Sequence, residues 1–85
     1  GKQWRKYGTR DGLAHGNVHG IAFAPDGAAW FATERGASRF DGNGWTTYRT
    51  ADGLVDEFVR AVAVASDGTV WFATDVGLSR YNPPR

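Results

Sequence analysis

The 85-residue sequence has no cysteine, which excludes a disulfide framework and thiol catalysis. It has no excess of charge of one sign either. Ten Lys and Arg are interspersed with nine Asp and Glu for a net charge of +1, so there is no basic stripe for a nucleic-acid backbone, and no nucleic-acid partner is expected. No apolar run approaches the roughly 20 residues that span a bilayer, and Gly1-Lys2-Gln3-Trp4 lacks the apolar stretch of a secretory signal. No membrane partner is expected. Finally, no stretch keeps a 3.6-residue apolar period long enough to predict a helix.

What is present is 41% apolar and 14% aromatic residues with 12 glycines, the composition of a folded, turn-rich chain. Shifting the chain by 41 residues aligns it with itself without an insertion. Trp4 falls on Trp45, Tyr7 on Tyr48, Asp11-Gly12-Leu13 on Asp52-Gly53-Leu54, and Asp26-Gly27 on Asp67-Gly68. Trp30-Phe31-Ala32-Thr33 falls on Trp71-Phe72-Ala73-Thr74, Gly36 on Gly77, and Ser38-Arg39 on Ser79-Arg80. The chain divides into repeat one, residues 1–41, and repeat two, residues 42–85. Trp4, Trp30, Phe31, Trp45, Trp71 and Phe72 are expected to form the core of the repeat.

Short β-type runs bounded by turn residues predict strands at Val18 to Ala24, Ala28 to Thr33, Ala37 to Phe40 and Trp45 to Thr50. Val59 to Ala65, Thr69 to Thr74 and Leu78 to Tyr81 repeat the first three, and Trp4 to Thr9 is a lone copy of the fourth. Asp-Gly pairs at 26–27, 41–42 and 67–68 supply the positive φ angles that close antiparallel hairpins. Small residues (Gly20, Ala22, Ala24; Ala61, Ala63, Ala65) alternate with larger ones (Ile21, Phe23; Val62, Val64), as in a sheet covered on both faces. The expected fold is all-β: two four-stranded antiparallel modules of the β-propeller blade type, repeated every 41 residues. A two-sheet sandwich also holds eight strands, but nothing in a sandwich demands that its halves match residue by residue.

Two blades leave apolar sheet faces wet, whereas a ring closes with about four to eight. The first blade is complete within Val18 to Thr50, and the second lacks an outer strand. The surplus strand Trp4 to Thr9 is therefore expected to latch in trans onto the edge of Leu78 to Tyr81 in a neighbouring chain. The expected partner is the chain itself, as a cyclic homo-oligomer of three or four copies, with four favoured. A fragment of a longer repeat array and an engineered half-propeller obey the same assembly physics.

Catalytic residues do not emerge, and no enzyme activity is expected. His15 and His19 have no Cys, Asp or Glu at ligand spacing, and their counterparts are Asp56 and Arg60, so neither metal nor cofactor is expected. Ser38 and Ser79 recur beside Arg39 and Arg80 rather than near a histidine, which marks scaffold rather than nucleophile. Asp56 and Glu57 are adjacent acids in a connection. Leu13 and Leu54, after their Asp-Gly turns, read as plugs between blades. The repeats differ on one rim, where exposed loops sit on a rigid scaffold. Any ligand, a carbohydrate or a peptide, is expected there, at His15, Asn17, Arg35, Asp56, Phe58 and Arg60, with Phe58 the aromatic and Arg60 the cationic contact.

The combination W-x-x-Y, D-G-L, D-G-x-x-W-F-A-T and G-x-S-R-[FY], present twice at constant spacing, resembles the two-component regulator propeller repeat. That resemblance implies seven-bladed propellers in the extracytoplasmic sensor portions of hybrid histidine kinases, many implicated in polysaccharide sensing, and hence a periplasmic or extracellular setting. This sequence departs from the pattern in having two repeats and no transmembrane, kinase or receiver segment. The expected function is a self-assembling propeller scaffold or binding module. A fragment of a carbohydrate-sensing kinase propeller and a propeller lyase or hydrolase are the alternatives.

Overall fold

Seven strands fold into two antiparallel meanders, following the turn chemistry. β1 (Val18–Phe23), β2 (Ala29–Thr33), β3 (Gly36–Phe40) and β4 (Trp45–Tyr48) form a four-stranded sheet in chain order; β5 (Ala61–Val64), β6 (Val70–Thr74) and β7 (Gly77–Tyr81) form a three-stranded one. The structure, a computed structural model, describes residues 4–83, so Gly1-Lys2-Gln3 lies outside it. β4 belongs to the second sequence repeat but completes the first sheet. The Asp-Gly turns close as their chemistry requires: Gly27, Gly42 and Gly68 have φ of 90°, 97° and 92°. Asp26 Oδ1 accepts the Ala28 N–H and Asp67 Oδ1 the Thr69 N–H, each at 2.9 Å, and Asp41 Oδ1 takes those of Asn43 and Gly44.

The connections that precede each sheet are copies of one another. In the 3-10 turns Thr9–Asp11 and Thr50–Asp52, the Asp11 carboxylate accepts the Gly8 N–H at 2.8 Å and Asp52 that of Arg49 at 2.9 Å. Gly12 and Gly53 then turn the chain at φ 121° and 113°, and Leu13 and Leu54 are buried. Ser38 Oγ accepts the Ala14 N–H at 2.9 Å and Ser79 Oγ that of Val55 at 2.8 Å, which accounts for the repeated serine.

Two sequence expectations need correction. Trp4 to Thr9 forms no strand within the single chain: residues 4–8 make no ladder and Thr9 opens a 3-10 turn. Thr50 likewise leaves the predicted fourth strand, since the Asp52 carboxylate folds the chain back on Arg49.

The sheets stack face to face. In the cross-strand register, Ala22, Trp30 and Arg39 share one face of the first sheet with Gly20, Ala32, Ala37 and Tyr48, whereas Ile21, Phe31, Phe40 and Trp45 share the other. The Trp30 face meets the face of the second sheet that carries Val62, Val64, Val70, Phe72 and Tyr81. At its centre Trp30, 1% exposed, lies edge-on to Phe72 at 5.8 Å and stacks on Tyr48 at 5.5 Å. Backbone approach is concentrated at β1, β2 and β5, where a Cβ on Gly20 would lie only 3.7 Å from Ala61 Cα. Small residues at the β1–β5 edge and aromatics farther out make the junction a wedge.

The wedge buries Trp30 and Phe72, but Trp4 and Trp71 are not core residues of this chain. They are 93% and 41% exposed; Phe31 and Trp45 are half-buried on the outer face of the first sheet.

Candidate functional site

The loop rim that differs between repeats is wired together rather than open. A register shift in β1 leaves His19 as an extra residue between the pairs Val18↔Thr33 and Gly20↔Ala32, and such a bulge re-aims a side chain. His19 Nε2 lies 3.0 Å from Glu34 Oε2, which also accepts the Asn17 Nδ2–H at 3.0 Å. Its imidazole stacks on Phe58 at 5.1 Å, and the Arg60 guanidinium sits 4.5 Å from the centre of the same ring. Arg60 closes the series with a two-pronged pair to Asp75, at 2.6 and 2.7 Å. The hydrogen bond with His19 holds the Glu34 carboxyl below its ordinary range, and that with Asp75 raises the Arg60 guanidinium.

This arrangement brings together three of the six rim residues, Asn17, Phe58 and Arg60, through His19 and Glu34. Phe58 is half-buried with the His19 imidazole and the Arg60 guanidinium against it, so it is a link between sheets. His15 and Asp56 each bond the nearby main chain, though not the same position: His15 Nδ1 accepts the Asn17 N–H at 3.1 Å and Asp56 Oδ1 the Glu57 N–H at 2.9 Å. Arg35 is exposed at the tip of the β2–β3 hairpin, its N–H on Thr33 Oγ1. Among the described residues no three His, Cys, Asp or Glu side chains gather at metal-binding distance.

A recess lies at the opposite rim. It measures about 260 Å³ and runs between the β1–β2 and β5–β6 turns, lined by Pro25, Asp26, Ser66, Asp67 and Pro83 over Trp30. Arg39 frames it, 3.1 Å from Asp26 and 3.7 Å from Asp41. In the sequence Asp26, Asp67 and Arg39 read as turn or scaffold residues, and their convergence depends on how the sheets stack, which no local signal reports.

The most distinctive surfaces are the two outer sheet faces. The first sheet exposes Ile21 and Phe23 beside half-buried Phe31, Phe40 and Trp45; the second exposes Trp71, Leu78, Ala61 and Ala63. Shifted by 41 residues, Trp71 is Trp30, and Phe31 and Phe40 are Phe72 and Tyr81. The outer faces thus carry the two sets of residues that meet at the inner junction.

Residues 53–76, which include the β5–β6 hairpin of the second sheet, match the family model described as two component regulator propeller. No curated protein matches the chain.

Proposed function

We propose that the chain is a β-propeller scaffold and binding module that builds itself by head-to-tail stacking of two-blade units. The observation that carries this reading is the pair of outer faces. The inner junction joins a Trp-bearing face to a Phe-bearing one, and the chain offers one unused face of each kind, at opposite ends. Stacking Trp71 of one copy on Phe31 and Phe40 of the next repeats the Trp30 contacts with Phe72 and Tyr81, found at 5.8 Å in both cases.

The main chain supports the same geometry. Glu57 and Val59 are tied to the first blade by bonds from Gly36 N–H to Glu57 O, 2.6 Å, and from Val59 N–H to Thr33 O, 2.8 Å. Between copies the equivalent bonds join Gly77 N–H to Gly16 O and Val18 N–H to Thr74 O. A wedge added head to tail turns by the same sense at each step and closes into a ring. Three or four copies give six or eight blades, with four copies favoured. The loop rim and the Asp26 recess then recur around the ring as the surfaces available to a carbohydrate or peptide ligand, and the scaffold itself carries no catalytic set.

Mass measurement in solution tests this reading. The wild-type chain is expected to sediment as a discrete oligomer at micromolar concentration, and Leu78→Glu, which puts a charge on the outer face, is expected to yield folded monomer. A wild-type chain that is monomeric and well folded under those conditions overturns it.

A further inference from the structure

The outer faces account for how blades stack, but the outer edge of β7 is a separate surface: among the described residues it carries no fourth strand. Beside it lies a recess of about 150 Å³ whose walls include Tyr48, Gly53, Leu54 and Tyr81. The repeat identifies what fills that place in the first blade. There Trp45, on β4, stands 4.7 Å from Phe40, 5.5 Å from Phe31 and 5.9 Å from Tyr7, so close to Gly12 that a Cβ on Gly12 would come within 2.6 Å of the Trp45 Cβ. Moved forward by 41 residues, these neighbours become Tyr81, Phe72, Tyr48 and Gly53. Nothing stands within 4 Å of a Cβ built on Gly53, and the recess opens there. The second blade thus has the seat for a tryptophan without the tryptophan.

The matching side chain is Trp4, which aligns with Trp45 and is 93% exposed. Its segment already lies where an outer strand lies. Tyr7 packs on Phe40 at 5.3 Å as Tyr48 packs on Tyr81 at 5.1 Å, and the Ala14 bond to Ser38 repeats the Val55 bond to Ser79. Residues 4–7 are therefore held against the first blade in the position that β4 takes against the second, with the strand edge they need belonging to another blade.

We infer that Trp4 of one copy inserts into the Gly53 recess of a second copy while residues 4–7 pair with β7 of that copy. This rests on the head-to-tail reading. The register follows from the β3–β4 ladder, in which Phe40↔Trp45, Arg39↔Thr46, Ser38↔Thr47 and Ala37↔Tyr48 are partners. Between copies it becomes Tyr81↔Trp4, Arg80↔Arg5, Ser79↔Lys6 and Leu78↔Tyr7. Residues 4–8 make no ladder in the single chain because their partner is on the other copy, and Trp4 is solvent-exposed for the same reason.

Because the chain has no cysteine, cross-linking reads the register directly. Directly opposed residues bring their Cβ atoms within disulfide range. Oxidised Lys6→Cys/Ser79→Cys protein is expected to give chains linked to one another, and the off-register pair Arg5→Cys/Ser79→Cys, whose side chains point to opposite faces, is not. Trp4→Ala is expected to weaken association at least roughly tenfold, as loss of a seated aromatic anchor does, with an unchanged far-ultraviolet spectrum. If oligomers form but the Lys6–Ser79 pair fails to link, links only within one chain, or links no better than the off-register pair, the latch is overturned and the stacked faces stand. Association unaffected by Trp4→Ala overturns the seat. A monomeric wild type removes both the latch and the assembly on which it rests.

Discussion

The Tyr7 ring stands 5.3 Å from the Phe40 ring, and the pair reproduces, 41 residues earlier, the contact between Tyr48 and Tyr81. A segment without strand hydrogen bonds thereby keeps the placement of a strand. Repetition in this chain extends beyond secondary structure to the positions of single rings, and it lets each side chain at one junction serve as the measured counterpart of its equivalent at another.

Trp30 and Trp71 occupy equivalent positions, one covered and one bare. Trp30→Ala is expected to cost about 3–5 kcal/mol of unfolding free energy, the range for emptying a buried aromatic site. Trp71→Ala, measured by denaturant titration at a concentration where chains are separate, is expected to cost about 1 kcal/mol or less. Its effect is expected to appear in the association constant. Equal losses at the two positions would refute the assignment of covered and open faces.

Gly36 is held at φ 116°, and a Cβ there would meet Tyr48 O at 2.5 Å. Both the left-handed backbone and the closed space resist a side chain, so Gly36→Ala is expected to destabilise by roughly 1–3 kcal/mol. Gly27 has φ 90° but open space around it, and Gly27→Ala is expected to cost about 1 kcal/mol. Thermal unfolding of the two variants separates the steric from the conformational contribution.

The Tyr48 hydroxyl is pushed up from 10.0 to about 12, first by burial and then by its hydrogen bond with Tyr81. The folded state thus holds this proton more tightly than the unfolded one, so stability is expected to be intact below pH 10 and to fall as pH rises through 12. Denaturant titrations between pH 9 and 12 on the wild type and Tyr48→Phe check this: the variant is expected to lose less over the interval.

In the inferred latch, Arg5 falls opposite Arg80, whereas the same place inside the chain pairs Arg39 with Thr46. Like charges directly opposed weaken a strand pair by about 0.2–1 kcal/mol. Arg5→Thr is expected to tighten association by roughly 1.5- to 5-fold, and the wild type to associate better as salt screens the pair. Sedimentation at two ionic strengths provides the measurement.

Much of this was legible in the sequence because blades are local structures. The 41-residue shift, the Asp-Gly turns and the alternation of Ala22 with Phe23 report on neighbours a few residues away, and the meanders follow from them. The hidden part depends on docking. Phe58 reads as a free aromatic on a loop until the stacking of the sheets brings His19 against it from the first blade. Asp26 reads as a turn residue, and it lines a recess only because Asp67 and Pro83 arrive across the junction. Trp4 has the same residue type and spacing as Trp45, and only its exposure distinguishes a seated ring from an unseated one.

Gly20 sits at the pivot of the inner wedge, and its counterpart one repeat later is Ala61, one methyl larger. In any closed ring of such units the two kinds of junction alternate, hinged on glycine within a chain and on alanine between chains. The rotational symmetry of such a ring then counts pairs of blades, half the number of blades present. A Cβ on Gly20 would meet Ala61 Cα at 3.7 Å, an ordinary van der Waals contact, so Gly20→Ala would give both hinges the same residue without forcing the sheets apart.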